Sequence, residues 1–143
     1  MNEQDLARLV DEAALRRTAE LYAQGADRRD PATWAAIVTE DCMIEAPGIR
    51  LCGREQIVGA LGVMAKLYVA TQHRVHNQLV EIDGDRARGE TYSVADHLSV
   101  VDGRRSLLTW AIRYQDRWRR EQGQWRFEHR TLLLDWTETR ALD

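Results

Sequence analysis

Of twenty basic residues only Lys66 is a lysine, and among 143 residues there are just two cysteines, two prolines and one phenylalanine. Each scarcity excludes something. Cys42 and Cys52 match no metal-ligand or redox spacing, so a disulfide scaffold and a zinc ribbon are out. Idle thiols in a reducing compartment, the cytoplasm, are expected. The arginine bias reads as the codon usage of a GC-rich genome rather than as a phosphate site. Net charge is only −3 with both signs interspersed, which leaves no electrostatic case for nucleic acid or an anionic membrane as partner. No apolar run approaches the roughly 18 residues that span a bilayer. Met1-Asn2-Glu3-Gln4-Asp5 lacks the basic and apolar regions of a signal peptide. There is no repeat, low-complexity tract or linker, so one domain over residues 1–143 is expected.

What is present is periodic. Leu6, Leu9, Val10 and Ala13 form one helical stripe, and Leu15, Ala19, Tyr22 and Ala26 form a second, rotated from the first. The rotation predicts a fresh helix capped by Asp11 and ending near Arg28-Arg29. Asp30-Pro31 restarts a short helix carrying Trp34, Ile37 and Val38. Cys42 to Ala46 reads as a strand stopped by Pro47-Gly48, and Gly53 to Leu67 as a helix with Ile57, Leu61 and Met64 on one side. After Thr71 the period becomes 2. Strands are predicted over 73–82, 86–101, 105–120 and 125–137, turning at Asp83-Gly84-Asp85, Asp102-Gly103 and Gln122-Gly123. Helical segments followed by a four-strand meander make an α+β plan, with long strands curling around the helices and a cavity at the open end.

Alternation assigns the strand faces. His73, Val75, Asn77 and Leu79 share one side of the first long strand. Ala87, Gly89, Thr91, Ser93, Ala95 and His97 share a side of the second, a small and polar face suited to lining a hollow. Trp110, Ile112, Tyr114 and Trp118 share a side of the third. If these faces converge, the cavity holds two imidazoles, a phenol and aromatic walls, the profile of a ligand pocket. Asp27 sits in the last helical turn, where the macrodipole disfavours a negative charge. It either pairs with Arg28, Arg29 or solvent, or serves the pocket.

The stretch Tyr22-Ala23-Gln24-Gly25-Ala26-Asp27-Arg28-Arg29-Asp30, then Thr71-Gln72-His73, His97 and Gly123-Gln124-Trp125-Arg126-Phe127, resembles the nuclear transport factor 2-like superfamily. Within it the chain is most similar to the SnoaL-like group that includes scytalone dehydratase. The resemblance runs in order over nearly the whole chain. It implies a cone-shaped barrel of a curved, mainly antiparallel sheet wrapped around N-terminal helices. It also implies lyase chemistry with no metal and no cofactor, and a homodimer or homotrimer. Asp27, His73 and His97 match the helix aspartate and two strand histidines of the scytalone dehydratase catalytic set. Tyr22 stands five residues before the helix aspartate, as a tyrosine does in bile-acid 7α-dehydratase. Ala26 and Tyr114 depart from scytalone dehydratase, which has Tyr and Asn there, and a different substrate is implied.

The residues support the same chemistry. An Asp27–His73 pair fixes the imidazole tautomer and leaves the other nitrogen as a base for a proton α to a carbonyl. His97 or Tyr114 would donate to the departing hydroxyl or the enolate oxygen. Tyr22, Asn77, Trp110 and Trp118 would bind a small hydrophobic, cyclic or aromatic hydroxy-carbonyl substrate. The expected activity is a dehydratase-type lyase. An isomerase or cyclase using the same base is the near alternative. Two more distant readings are a non-catalytic module for a hydrophobic ligand and a two-His, one-Asp facial metal site. His76 and His129 are assigned structural roles, and Arg130 is left between an anionic substrate and a surface pair.

Overall fold

The computed structural model describes residues 1–143. Helix α1 (Glu3–Asp27) opens on a capping box, in which the Asn2 side chain accepts from the Asp5 N–H while the Asp5 carboxylate accepts from Asn2 N–H. It runs unbroken through Asp11, where the rotated stripe predicts a second helix to start. Asp11 instead reaches the sheet, accepting from Arg120 at 2.8 Å and from the Trp125 indole at 2.9 Å. The second stripe, Leu15, Ala19, Tyr22 and Ala26, is the buried one; Leu6, Leu9 and Val10 stay exposed. Helix α2 (Pro31–Ile37) is capped by Asp30, whose carboxylate accepts from Ala32 and Thr33 N–H. It packs Trp34 so closely on α1 that a Cβ at Gly25 would lie 2.6 Å from the indole. Val38, read as helical, is the first residue of strand β1 (Val38–Ala46).

A short strand β2 (Ile49–Cys52) pairs back on β1 where only a loop is expected from the sequence. Helix α3 (Arg54–Leu67) follows, and then the meander β3 (Ala70–Asp83), β4 (Arg86–Val101), β5 (Arg104–Glu121) and β6 (Gln124–Leu142). Two of its turns, Asp102-Gly103 and Gln122-Gly123, have positive φ at both central residues, the geometry that matches the twist of a hairpin. The sheet order is β2-β1-β6-β5-β4-β3, with β1 parallel to β6 and every other pair antiparallel. The sheet is mixed and open, with β2 and β3 as edges, so it curves as a cone without closing as a barrel. Register shifts on β3 and β6 mark the bulges that bend it around α1. No helix is long and apolar enough to cross a membrane.

The core fills the narrow end. Trp118 is fully buried there, stacked on Phe127 at 5.3 Å with its indole N–H donated to Thr18 at 2.9 Å. It packs the cone and does not wall the cavity, contrary to the expectation from its face. The cavity face of β5 runs on from Tyr114 into the interior, and its far end is simply core.

Candidate active site

Asp27 is the last residue of α1, and β3 passes beside it. The pairing of β3 with β4 puts His73 opposite Ala95 and Thr71 opposite His97. His73 donates its backbone N–H to Asp27 Oδ2 at 2.9 Å, and its Nδ1 lies 2.6 Å from Oδ1. A carboxylate can only accept, so Nδ1 carries the proton, and in the neutral imidazole Nε2 has the free lone pair. Thr71 donates its hydroxyl to the same Oδ1 at 3.0 Å. Burial alone would raise the Asp27 carboxyl, but the hydrogen bonds from the His73 ring, the His73 backbone and Thr71 hold it below its ordinary 3.8. The carboxylate form of Asp27 is therefore favoured.

His97 is nearly sealed, with Tyr68 4.7 Å and Trp110 4.3 Å from its ring and the His73 ring 6.0 Å away. Its Nδ1 donates to the Leu108 carbonyl at 3.0 Å, so its Nε2 is an acceptor. Burial pushes its pKa below the usual 6.5, against the pull of that carbonyl and with the help of His73. A neutral His97 with this tautomer cannot donate to a departing hydroxyl, as expected of it, but can accept from one. With its folded value depressed, His97 adds stability above 6.5 that drains away as pH falls, because the unfolded chain takes up the proton first. Denaturation at about pH 7.5 and about pH 5.5 is expected to show lower stability at the acid point, and His97→Gln to shrink the difference.

Between His73 and the cone floor lies a cavity of about 10 Å³, lined also by Tyr22, Tyr114 and Arg130. That is room for about one water. Arg130 does not make the surface pair that was one of its two expected roles. It is 1% exposed and bidentate to the fully buried Asp116, Nε to Oδ1 at 2.8 Å and Nη2 to Oδ2 at 3.2 Å. Thr91 donates to Asp116 at 2.8 Å and receives from Gln78 at 3.0 Å. The guanidinium carbon lies 3.6 Å from the Tyr114 ring centroid and 4.4 Å from those of Tyr22 and Phe127, within cation–π range. Burial works against the charged guanidinium, yet the Asp116 carboxylate keeps its pKa above the ordinary arginine value. Burial lifts the Tyr114 phenol to about 12 and moves Tyr22 upward as well, so both hydroxyls remain protonated donors.

The structure thus puts Tyr22, His73 and Tyr114 on the cavity, with Asp27 and His97 beside His73 and Trp110 against His97, and leaves two expected binders out. Trp118 is core. Asn77 is exposed because β3 bulges between Val75 and Gln78, which flips the parity of every later residue. Gln78 takes the inward place and bonds Thr91. The two-His, one-Asp metal site is not formed. Asp27 spends its oxygens on His73 and Thr71, and no three His, Cys, Asp or Glu side chains are grouped to hold a metal. A hollow of about 720 Å³ is an open depression on the outer sheet face by Gly89 and Arg117 and shares no residue with this cavity. A second open cleft of about 400 Å³, lined by Glu20, Gln24 and Arg28, reaches Asp27 and His73 from outside.

Residues 7–131 match the model of the SnoaL-like domain. The chain belongs to the SnoaL-like family. No curated protein matches it in sequence. Among solved structures, a hexachlorocyclohexane dehydrochlorinase is 23% identical, with 97% of this chain and 93% of that one covered and a TM-score of 0.84. A candidate scytalone dehydratase from Novosphingobium aromaticivorans is also 23% identical, with 95% and 91% covered and a TM-score of 0.82. A protein of unknown function from Mycobacterium tuberculosis, solved as an aspartate-to-asparagine variant, is 27% identical, with 94% and 77% covered and a TM-score of 0.82. These likenesses place the SnoaL-like chain in the nuclear transport factor 2-like fold.

Proposed function

We propose that this SnoaL-like protein is a cofactor-independent lyase of the dehydratase type, acting on a small cyclic or aromatic β-hydroxy carbonyl compound. The observation that carries the reading is the 2.6 Å contact of His73 Nδ1 with Asp27, beside a buried cavity that His73 lines. Nε2 takes the proton α to the carbonyl, and Asp27 stabilises the imidazolium that forms. The enolate oxygen meets the Tyr114 hydroxyl and the Arg130 guanidinium, donors preset in a site shielded from solvent. The same imidazolium then gives its proton to the β-hydroxyl. The C–O bond breaks, the C=C bond forms, and water leaves. His97 Nε2 accepts from the substrate hydroxyl and orients it. A ring needs far more than 10 Å³, so binding requires the walls to part. The half-buried Tyr68 beside His97, at the end of α3, stands where such a movement would open the site. That two structural neighbours carry dehydratase and dehydrochlorinase names agrees with an elimination.

The test is mass spectrometry of products after incubation with a panel of cyclic and aromatic β-hydroxy ketones. Loss of one water is expected for at least one member. Rearrangement without mass change would make the enzyme an isomerase with the same base. A ligand that binds and is recovered unchanged would make the protein a binding module.

A further inference from the structure

The dyad carboxylate is held by more than its histidine. Arg29 lies two residues beyond Asp27, in the left-handed region with φ of 51°. That backbone turn folds its side chain back over the end of α1, where Nη1 donates to the Ala26 carbonyl and, at 2.9 Å, to Thr71 Oγ1. An arginine cannot accept a hydrogen bond, so Thr71 must receive here and has its own proton left to give. It gives that proton to Asp27 Oδ1, the oxygen that also receives the His73 ring. Every direction in the chain Arg29 to Thr71 to Asp27 is therefore fixed.

The charge matters as well as the geometry. Asp27 ends a 25-residue helix with no basic residue in its last turn, so it faces the negative end of the macrodipole. Arg28 is exposed and makes no ion pair. Arg29 is the cation that offsets the helix end, directly at the Ala26 carbonyl and through the Thr71 hydroxyl at Asp27, without touching His73.

We infer that Arg29 and Thr71 are positioning residues for the Asp27–His73 dyad, locking the carboxylate rotamer and keeping Oδ1 a strong acceptor for the imidazole proton. The inference rests on the dyad being the base, but its test needs no substrate. In ¹⁵N-histidine-labelled protein, a proton held in so short an N–H to carboxylate bond resonates far downfield of an ordinary imidazole N–H. Arg29→Met and Thr71→Val are each expected to move that resonance upfield and broaden it through faster exchange. Arg29→Lys, which keeps the charge, is expected to restore most of the shift. Arg29→Met also loses the bond to Ala26, and Thr71→Val spares it, so the pair separates the relay from the helix cap. Folded variants with an unmoved resonance would overturn the positioning role and leave the dyad standing. A wild-type spectrum without the resonance would remove the dyad and this inference together.

Discussion

Asp116→Ala is expected to cost about 3–5 kcal/mol of unfolding free energy, because it strips the partner from a buried charge. Arg130 is 1% exposed and sits against Tyr22, Tyr114 and Phe127, sealed from bulk solvent. Its charge is tolerated because Asp116 meets it with two oxygens while Thr91 satisfies the same carboxylate. Removing the acid leaves a buried, unpaired guanidinium that neither the aromatic faces nor Gln78 can neutralise. The double variant Asp116→Leu with Arg130→Met, which removes both charges, is expected to recover most of the loss. Urea denaturation checks both. A single-variant loss under about 1 kcal/mol would show that water or a local shift relieves the site. The pair is therefore retained at a stability risk, which makes sense if the preset cation at the cavity floor serves chemistry.

His73→Ala is expected to lower turnover by roughly 10²–10⁴-fold, the worth of a positioned general base, with little change in substrate affinity. Asp27→Asn should fall in the same range for a different reason. Asp27 accepts on both oxygens, from the His73 ring and Thr71 on one and the His73 backbone on the other. An amide must turn its NH₂ toward one of those donors, so either the imidazole flips to the wrong tautomer or the strand is pushed off the helix. Steady-state kinetics on the substrate found by the product screen separate the two parameters. A rise in KM with kcat intact would mean that the dyad only binds.

Much of this architecture is legible in the sequence, and the exceptions have physical causes. The Asp30-Pro31 restart and the hairpin turns are local signals, and α2 and the meander lie where those signals put them, whereas the rotated stripe misplaces a helix start at Asp11 within the unbroken α1. Asp27 could equally pair with Arg28, Arg29 or solvent, and it is the resemblance of its stretch and of Thr71-Gln72-His73 that sets Asp27 and His73 apart. Asn77 misleads because a bulge leaves no mark in the alternation it interrupts. Arg130 resists assignment because a register shift between Phe127 and His129 hides the parity of that part of β6. Asp116 does carry a signal. It lies between Tyr114 and Trp118 on an otherwise apolar inward face, and a charge there demands a buried partner. Strand β2 and the parallel β1–β6 pairing depend on contacts distant in sequence, which no window of residues reports.

Deuterium uptake tests directly whether His73 is a carbon-acid base. Wild type and His73→Ala would be incubated in D₂O with the cyclic and aromatic ketone panel, including members that lack the leaving hydroxyl, and the substrates analysed by mass spectrometry. Deuterium entering the α position with wild type, and not with His73→Ala, is the result expected. Equal uptake with both proteins would rule His73 out as the base.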